Sequence, residues 1–171
     1  MLQTPMFEKP RADYRDIEAL KTFITEDWSA LKHDFGKVSW ISGPMIDQFG
    51  ALTCNHQWIH EELDLVAQTQ SPYGARIAHG LLLVSLIPGL LPDDFFVLTG
   101  HSVRIVRGMD RLRLPSPAYV GDQPWVRAKI RDVYAAPSGK GTVIERDVEM
   151  WLFNRWTEKP TVSCILKLQY F

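Results

Sequence analysis

The second half of this chain is written with a period of two. Leu112 and Leu114 alternate with Arg111 and Arg113, and Val126, Ala128 and Ile130 alternate with Trp125, Arg127, Lys129 and Arg131. Val148, Met150 and Leu152 alternate with Asp147 and Glu149, and Val162, Cys164, Leu166, Leu168 and Tyr170 alternate with Ser163, Lys167 and Gln169. Side chains of a strand point alternately to its two faces, so such runs bury one face and wet the other. Turn-rich connections, PSPAYVGD, AAPSGKG and NRWTEKP, separate them. The pattern predicts an antiparallel sheet with one solvated side.

The first half supplies what the other face packs against. From about His79 to Leu91 the chain is apolar nearly all round, which predicts a helix that is buried rather than laid on the surface. Ser42, with Pro44 just behind it, reads as the cap of a second helix carrying Met45, Ile46, Phe49 and Leu52 inward and ending near Cys54. A short extended piece, Gly36–Ile41, precedes it, and Glu61–Gln70 predicts a short helix with acidic residues at its start. Further upstream, Ile17, Leu20, Phe23, Ile24, Trp28 and Leu31 recur at mostly three and four residues. That spacing predicts one long helix from Asp13 to Leu31, an N-terminal helical extension over residues 1–34 ahead of a main domain over 35–171. Helices followed by an antiparallel meander give an α+β arrangement, a curved sheet wrapped round one buried helix.

Composition narrows the class of function. At 171 residues the chain suits a single core that buries roughly 70% of the unfolded surface. Nineteen basic residues against twenty acidic ones leave a net charge of −1, without the basic footprint of a nucleic-acid-binding protein. Two separated cysteines, Cys54 and Cys164, fit a reducing compartment. The stretch MLQTPMFEKPRADYRD has no apolar leader, and the longest apolar run, Ile77–Leu91, is too short for a bilayer. A cytoplasmic protein with no membrane contact is expected.

Three constellations carry possible chemistry. His56 and His60 stand four apart with Asp64 four further on, metal-ligand spacing only if a single helix ran through all three. The segment reads as a loop, so no metal is expected. Asn55 and His60 lie five apart; the imidazole suits general acid–base work while an amide holds a water or a carbonyl. The alternative is a histidine bonded within its own turn beside a turn-forming asparagine. Ala78-His79-Gly80 opens the apolar helix, where free N–H groups and a glycine without Cβ suit an oxyanion hole. Equally, Gly80 serves helix–sheet contact. Arg104, Arg107, Arg111 and Arg113 read as a solvated strand face, and Gly139-Lys140-Gly141 as a hairpin turn. The six tryptophans form no stacking track, and no G-x-S-x-G elbow is present.

The segments NHQWIHEE, SPYGARIAHGLLLVSLIPGLL and GMDRLRLPSPAYVGD, in that order, together with the ending CILKLQYF, resemble the MaoC-like dehydratases and, within them, the NodN-like branch. The likeness covers about Val38 to Phe171 and leaves the N-terminal extension outside. It implies a hot-dog fold and an acyl-thioester hydro-lyase without a cofactor. Such enzymes hydrate trans-2-enoyl thioesters, or dehydrate (R)-3-hydroxyacyl thioesters, on CoA or acyl-carrier protein. The resemblance maps the catalytic histidine onto His60, the oxyanion glycine onto Gly80 beside Ala78 and His79, and an acyl tunnel onto Leu82 and Leu86. It also implies a homodimer or higher homo-oligomer. The family's catalytic aspartate corresponds to Asn55, and an amide positions a water but does not take its proton. Pro88 stands where some hydratases have a serine, as in the NodN-like form. The competing expectations are a hot-dog protein that binds an acyl thioester or partner enzymes without turnover, and a thioesterase using His60, with Glu61 or Glu62 as the nearest carboxylates.

Overall fold

The structure is a computed structural model and describes residues 9–25, 27–28, 40–62, 64–91 and 96–171. Four strands build the main sheet: β3 (Arg104–Arg113), β4 (Pro124–Ala135), β5 (Thr142–Leu152) and β6 (Val162–Tyr170), all antiparallel, in the order β3-β6-β5-β4. The alternation predicted for β4 and β5 holds. Val126, Ala128, Ile130, Val148 and Met150 are buried, while Arg127 and Arg131 pair on the outer face with Glu149 and Asp147.

The first strand differs from its sequence pattern. It begins at Arg104, seven residues earlier than Arg111, and ends at Arg113, leaving Leu114 beyond it. Its pairing with β6 slips twice, and Arg111 sits there with φ +50°. A bulge shifts side chains to the other face, so a period-two reading across it fails.

Helix α4 (Gly80–Leu90) packs against β4 and β6 and sends Leu82, Leu83 and Ile87 into the core. It is less enclosed than its composition suggests. Leu81 is 62% exposed, and Ser85 and Gly89, each four residues on, also face outward. One sheet covers one side of a helix, so a stripe at i, i+4, i+8 is left over.

Helix α2 (Gly43–Thr53) starts as predicted. The Ser42 side chain accepts from the Met45 N–H, Pro44 lies in the first turn, and Cys54 ends the helix in the left-handed conformation, φ +54°. Helix α3 is Leu65–Gln70. Among the described residues no helix is long and apolar enough to cross a membrane.

The N-terminal helix is shorter than predicted. Arg11–Asp13 form strand β1, paired in parallel with β2 (Val97–Thr99), and helix α1 spans only Ile17–Lys21. Asp16 caps its start, and the Thr22 hydroxyl bonds back to the Ala19 carbonyl. Thr25 Oγ1 accepts from the Asp27 N–H, a local turn that competes with helix continuation. Leu31, and most of the extended piece Gly36–Ile41, lie outside the described residues. The segment is nonetheless part of the core. Leu20 is fully buried, Ala12 belongs to the same cluster, and the Phe23 and Phe96 rings stack at 4.3 Å. Trp28 lies under the Arg127 guanidinium, 4.4 Å from ring centre to Cζ.

Candidate functional site

His60 closes a single 3₁₀ turn, Trp58–His60, between α2 and α3. One turn is marginal alone, so outside contacts decide how the ring is held. Nδ1 lies 3.0 Å from the Ile77 carbonyl oxygen. A carbonyl only accepts, so Nδ1 carries the proton and the neutral ring presents a bare Nε2. Burial of the half-buried ring pushes its pKa below the usual value, against the opposing effect of the Ile77 bond, and the neighbouring His79 and Arg76 push it the same way as burial. The group is a neutral base at pH 7.

The His79 ring stacks on His60, centroids 3.9 Å apart, with Phe49 at 5.2 Å on another side. His79 is 3% exposed. Its Nε2 bonds the backbone carbonyl of Asn55 at 3.0 Å, and the buried Nδ1 has no hydrogen-bond partner among the described residues. That assigns the proton of the neutral ring to Nε2. Gly50 makes this approach possible, since a Cβ there would stand 3.2 Å from the Asn55 carbonyl oxygen and 3.4 Å from His79 Cε1.

Asn55 follows the left-handed Cys54, and its own N–H donates to the Gly50 carbonyl at 3.0 Å. Its carboxamide makes no hydrogen bond to a described residue, which leaves it available to a ligand. Gly80 is the first residue of α4, at the positive end of that helix. A Cβ on Gly80 would overlap Leu114 Cδ1, so the side chain of a residue just past β3 rests on the glycine. The close-packing use foreseen for Gly80 is seen in this contact. Ala78 is buried, its N–H committed to the Ala118 carbonyl at 2.8 Å. Leu82 is buried in the core and Leu86 packs partly buried against it.

The structure therefore brings Asn55, His60, His79 and Gly80 together. It does not place His56 and His60 on one helix face. The 3₁₀ turn starts only at Trp58, and exposed His56 sits 3.9 Å from Glu61. Cys54 is exposed, and burial raises the pKa of Cys164 to about 11.

Two residues at the site carried no weight in the sequence. Gly50 is one. The other is Arg76, whose Nε donates to the His60 carbonyl at 2.7 Å and whose guanidinium pairs with Asp47. The visible signal was a lone arginine in the otherwise small and apolar YGARIAHG. A cavity of about 470 Å³ adjoins it, bounded by Gly43, Pro44, Asp47, Glu62 and Gln68.

A helix against a curved antiparallel sheet is the hot-dog arrangement. An (R)-hydratase from Pseudomonas aeruginosa shares it with a TM-score of 0.56 and 21% identity, over 77% of this chain and 75% of that one. Residues 32–149 match the MaoC like domain. The 3-hydroxyacyl-thioester dehydratase Z of Mycobacterium tuberculosis is 33% identical over 128 residues, 72% of this chain and 82% of the relative. Nodulation protein N of Rhizobium leguminosarum is 32% identical over 97 residues, 56% of this chain and 60% of the relative. The chain belongs to the MaoC-like domain family, whose chemistry is the hydration or dehydration of acyl thioesters.

Proposed function

We propose that this chain adds water across trans-2-enoyl thioesters to give (R)-3-hydroxyacyl thioesters, or runs the reverse, on CoA or acyl-carrier protein and as a homodimer or larger homo-oligomer. The observation that carries the reading is the hydrogen bond between His60 Nδ1 and the Ile77 carbonyl oxygen. With Nδ1–H fixed on Ile77, Nε2 is left free as the one acid–base atom. In hydration His60 Nε2 takes a proton from water as the oxygen bonds C3. The electron pair of the C2–C3 double bond moves toward the thioester carbonyl, whose developing negative charge meets the Gly80 N–H at the end of α4. The same proton then passes from His60 to C2, so one water is added and the ring returns to neutral. The Asn55 carboxamide orients the water. Leu82 and Leu86 mark the side of α4 along which the acyl chain runs.

Asn55 specifically favours a second reading, a hot-dog protein that binds an acyl thioester without turnover. Hydration of crotonyl-CoA, followed by loss of the conjugated thioester absorbance, separates the two. The wild type turns over and His60→Ala loses about 10²–10⁴-fold in rate. A silent wild type restored by Asn55→Asp establishes the second reading. Silence from the wild type, Asn55→Asp and His60→Ala alike sinks the hydratase proposal for this substrate.

A further inference from the structure

Among the described residues, four hydrogen bonds tie residues 55–60 to one other segment, Arg76–His79. The Arg76 Nε donates to the His60 carbonyl at 2.7 Å, and the Ile77 N–H to the Ile59 carbonyl at 3.1 Å. The Ile77 carbonyl accepts from His60 Nδ1, and His79 Nε2 bonds the Asn55 carbonyl. Arg76 also reaches beyond this pair of segments, to the start of α2. Its far nitrogen pairs with Asp47 and lies 3.5 Å from the Gly43 carbonyl, both in the first turns of α2. Gly43 leaves room for it, since a Cβ there would stand 3.3 Å from Arg76 Nη1. The Arg76 side chain is itself largely buried, 14% exposed.

These contacts close a circuit. Helix α2 is a strut of 11 residues, about 16 Å long. Its C-terminal end carries Asn55, which His79 grips, and its N-terminal end is gripped by Arg76, which also holds His60. We infer that Arg76 is a positioning residue: by tying the His60 carbonyl to the start of α2, it sets the imidazole relative to Asn55 at the other end of the same helix. A planar fork suits this task, because one group bonds a carbonyl with Nε and a carboxylate with its outer nitrogen. An ammonium is a single point and reaches one partner well.

The kinetic part of the test rests on the proposed hydration by His60, whereas the spectroscopic part does not. In Arg76→Met, long-range ¹H–¹⁵N correlation of the His60 ring, assigned with His60→Gln, is expected to change from the pattern of a fixed Nδ1–H to that of mixed tautomers. On crotonyl-CoA, kcat is expected to fall about 10–100-fold with KM changed less than threefold, since a displacement near 1 Å costs about that much. Arg76→Lys, which keeps the charge near Asp47, is expected to recover part of kcat. A fixed tautomer and an unchanged kcat in Arg76→Met overturn the proposal, as does a drop in kcat that only follows the loss of folded protein. If the wild type is silent on the thioester, the hydratase reading fails and the ring pattern alone decides the role of Arg76. If Arg76→Met does not fold, Arg76→Lys and Asp47→Asn are read in the same way, with partial mixing expected and an unmixed pattern in both refuting the idea.

Discussion

Replacing His79 separates two contributions that its ring makes at once. His79→Ala removes a 3%-exposed ring from between His60 and Phe49 and deletes the N–H that bonds the Asn55 carbonyl. Loss of ring burial with its cavity costs about 1–2 kcal/mol. The half-buried carbonyl left without its donor costs about another 1–2 kcal/mol. The expected total is about 3 kcal/mol. His79→Gln keeps an N–H donor at nearly the distance of Nε2 while losing the aromatic contact, so its expected cost is about 1 kcal/mol. At about 2.1 cal/mol/K of unfolding entropy per residue, a chain of 171 residues loses roughly 8 °C in Tm for the alanine variant and roughly 3 °C for glutamine. Urea titration checks the free energies directly, with unchanged m-values as the sign that the denatured state is unaltered. Equal costs for the two variants refute the hydrogen-bond part of this reasoning. Costs below about 0.5 kcal/mol for both refute the packing as well.

Three other perturbations probe different parts of the molecule. Leu20→Ala empties a fully buried site under α1 and is expected to cost about 2–5 kcal/mol in urea unfolding; a cost below 1 kcal/mol would show that the N-terminal segment is not docked. Because His60 binds its proton less tightly folded than unfolded, the unfolded chain takes up the extra proton as pH falls below 6.5. That part of the stability is full above 6.5, is lost down to the lowered folded pKa, and is absent in His60→Gln; hydration is expected to rise with pH through that lowered folded pKa, below 6.5. Gly141 has φ +82°, and a Cβ there would overlap the Tyr170 carbonyl oxygen, so Gly141→Ala is expected to lower stability by about 2–4 kcal/mol, read from the urea midpoint.

The sheet was legible where strands keep one face buried over many residues. Strands β4, β5 and β6 bury one face along their length, and the alternation of Val126, Ala128 and Ile130 records that directly. Strand β3 is bulged twice and exposed along most of its length, so burial imposes less on its sequence, and its alternation shows only from Arg111 on. The run from Ile17 to Trp28 kept helical spacing for a different reason. Leu20 and Phe23 face the core from a helix and the turn after it, whereas Trp28 packs on the cations outside the sheet; one period served two surfaces. Strands β1 and β2, of three residues each, are too short to show any period. At the site, positions 55, 60 and 80 stood out by residue type and by the family resemblance. Arg76 did not, because its meaning lies in contacts 16 and 29 residues away, with His60 and Asp47.

The loop that carries Asn55 is fastened by its main chain. The Gly50 carbonyl receives the Asn55 N–H, and His79 takes the Asn55 carbonyl, so nothing in the anchoring consults the side chain. A position held in this way is a socket: its occupant can be exchanged without loosening the frame. Amide and carboxylate have nearly the same shape, so an exchange at residue 55 alters proton chemistry while geometry stays put. On the proposed hydration, a single substitution here would therefore change the chemistry at little risk to folding.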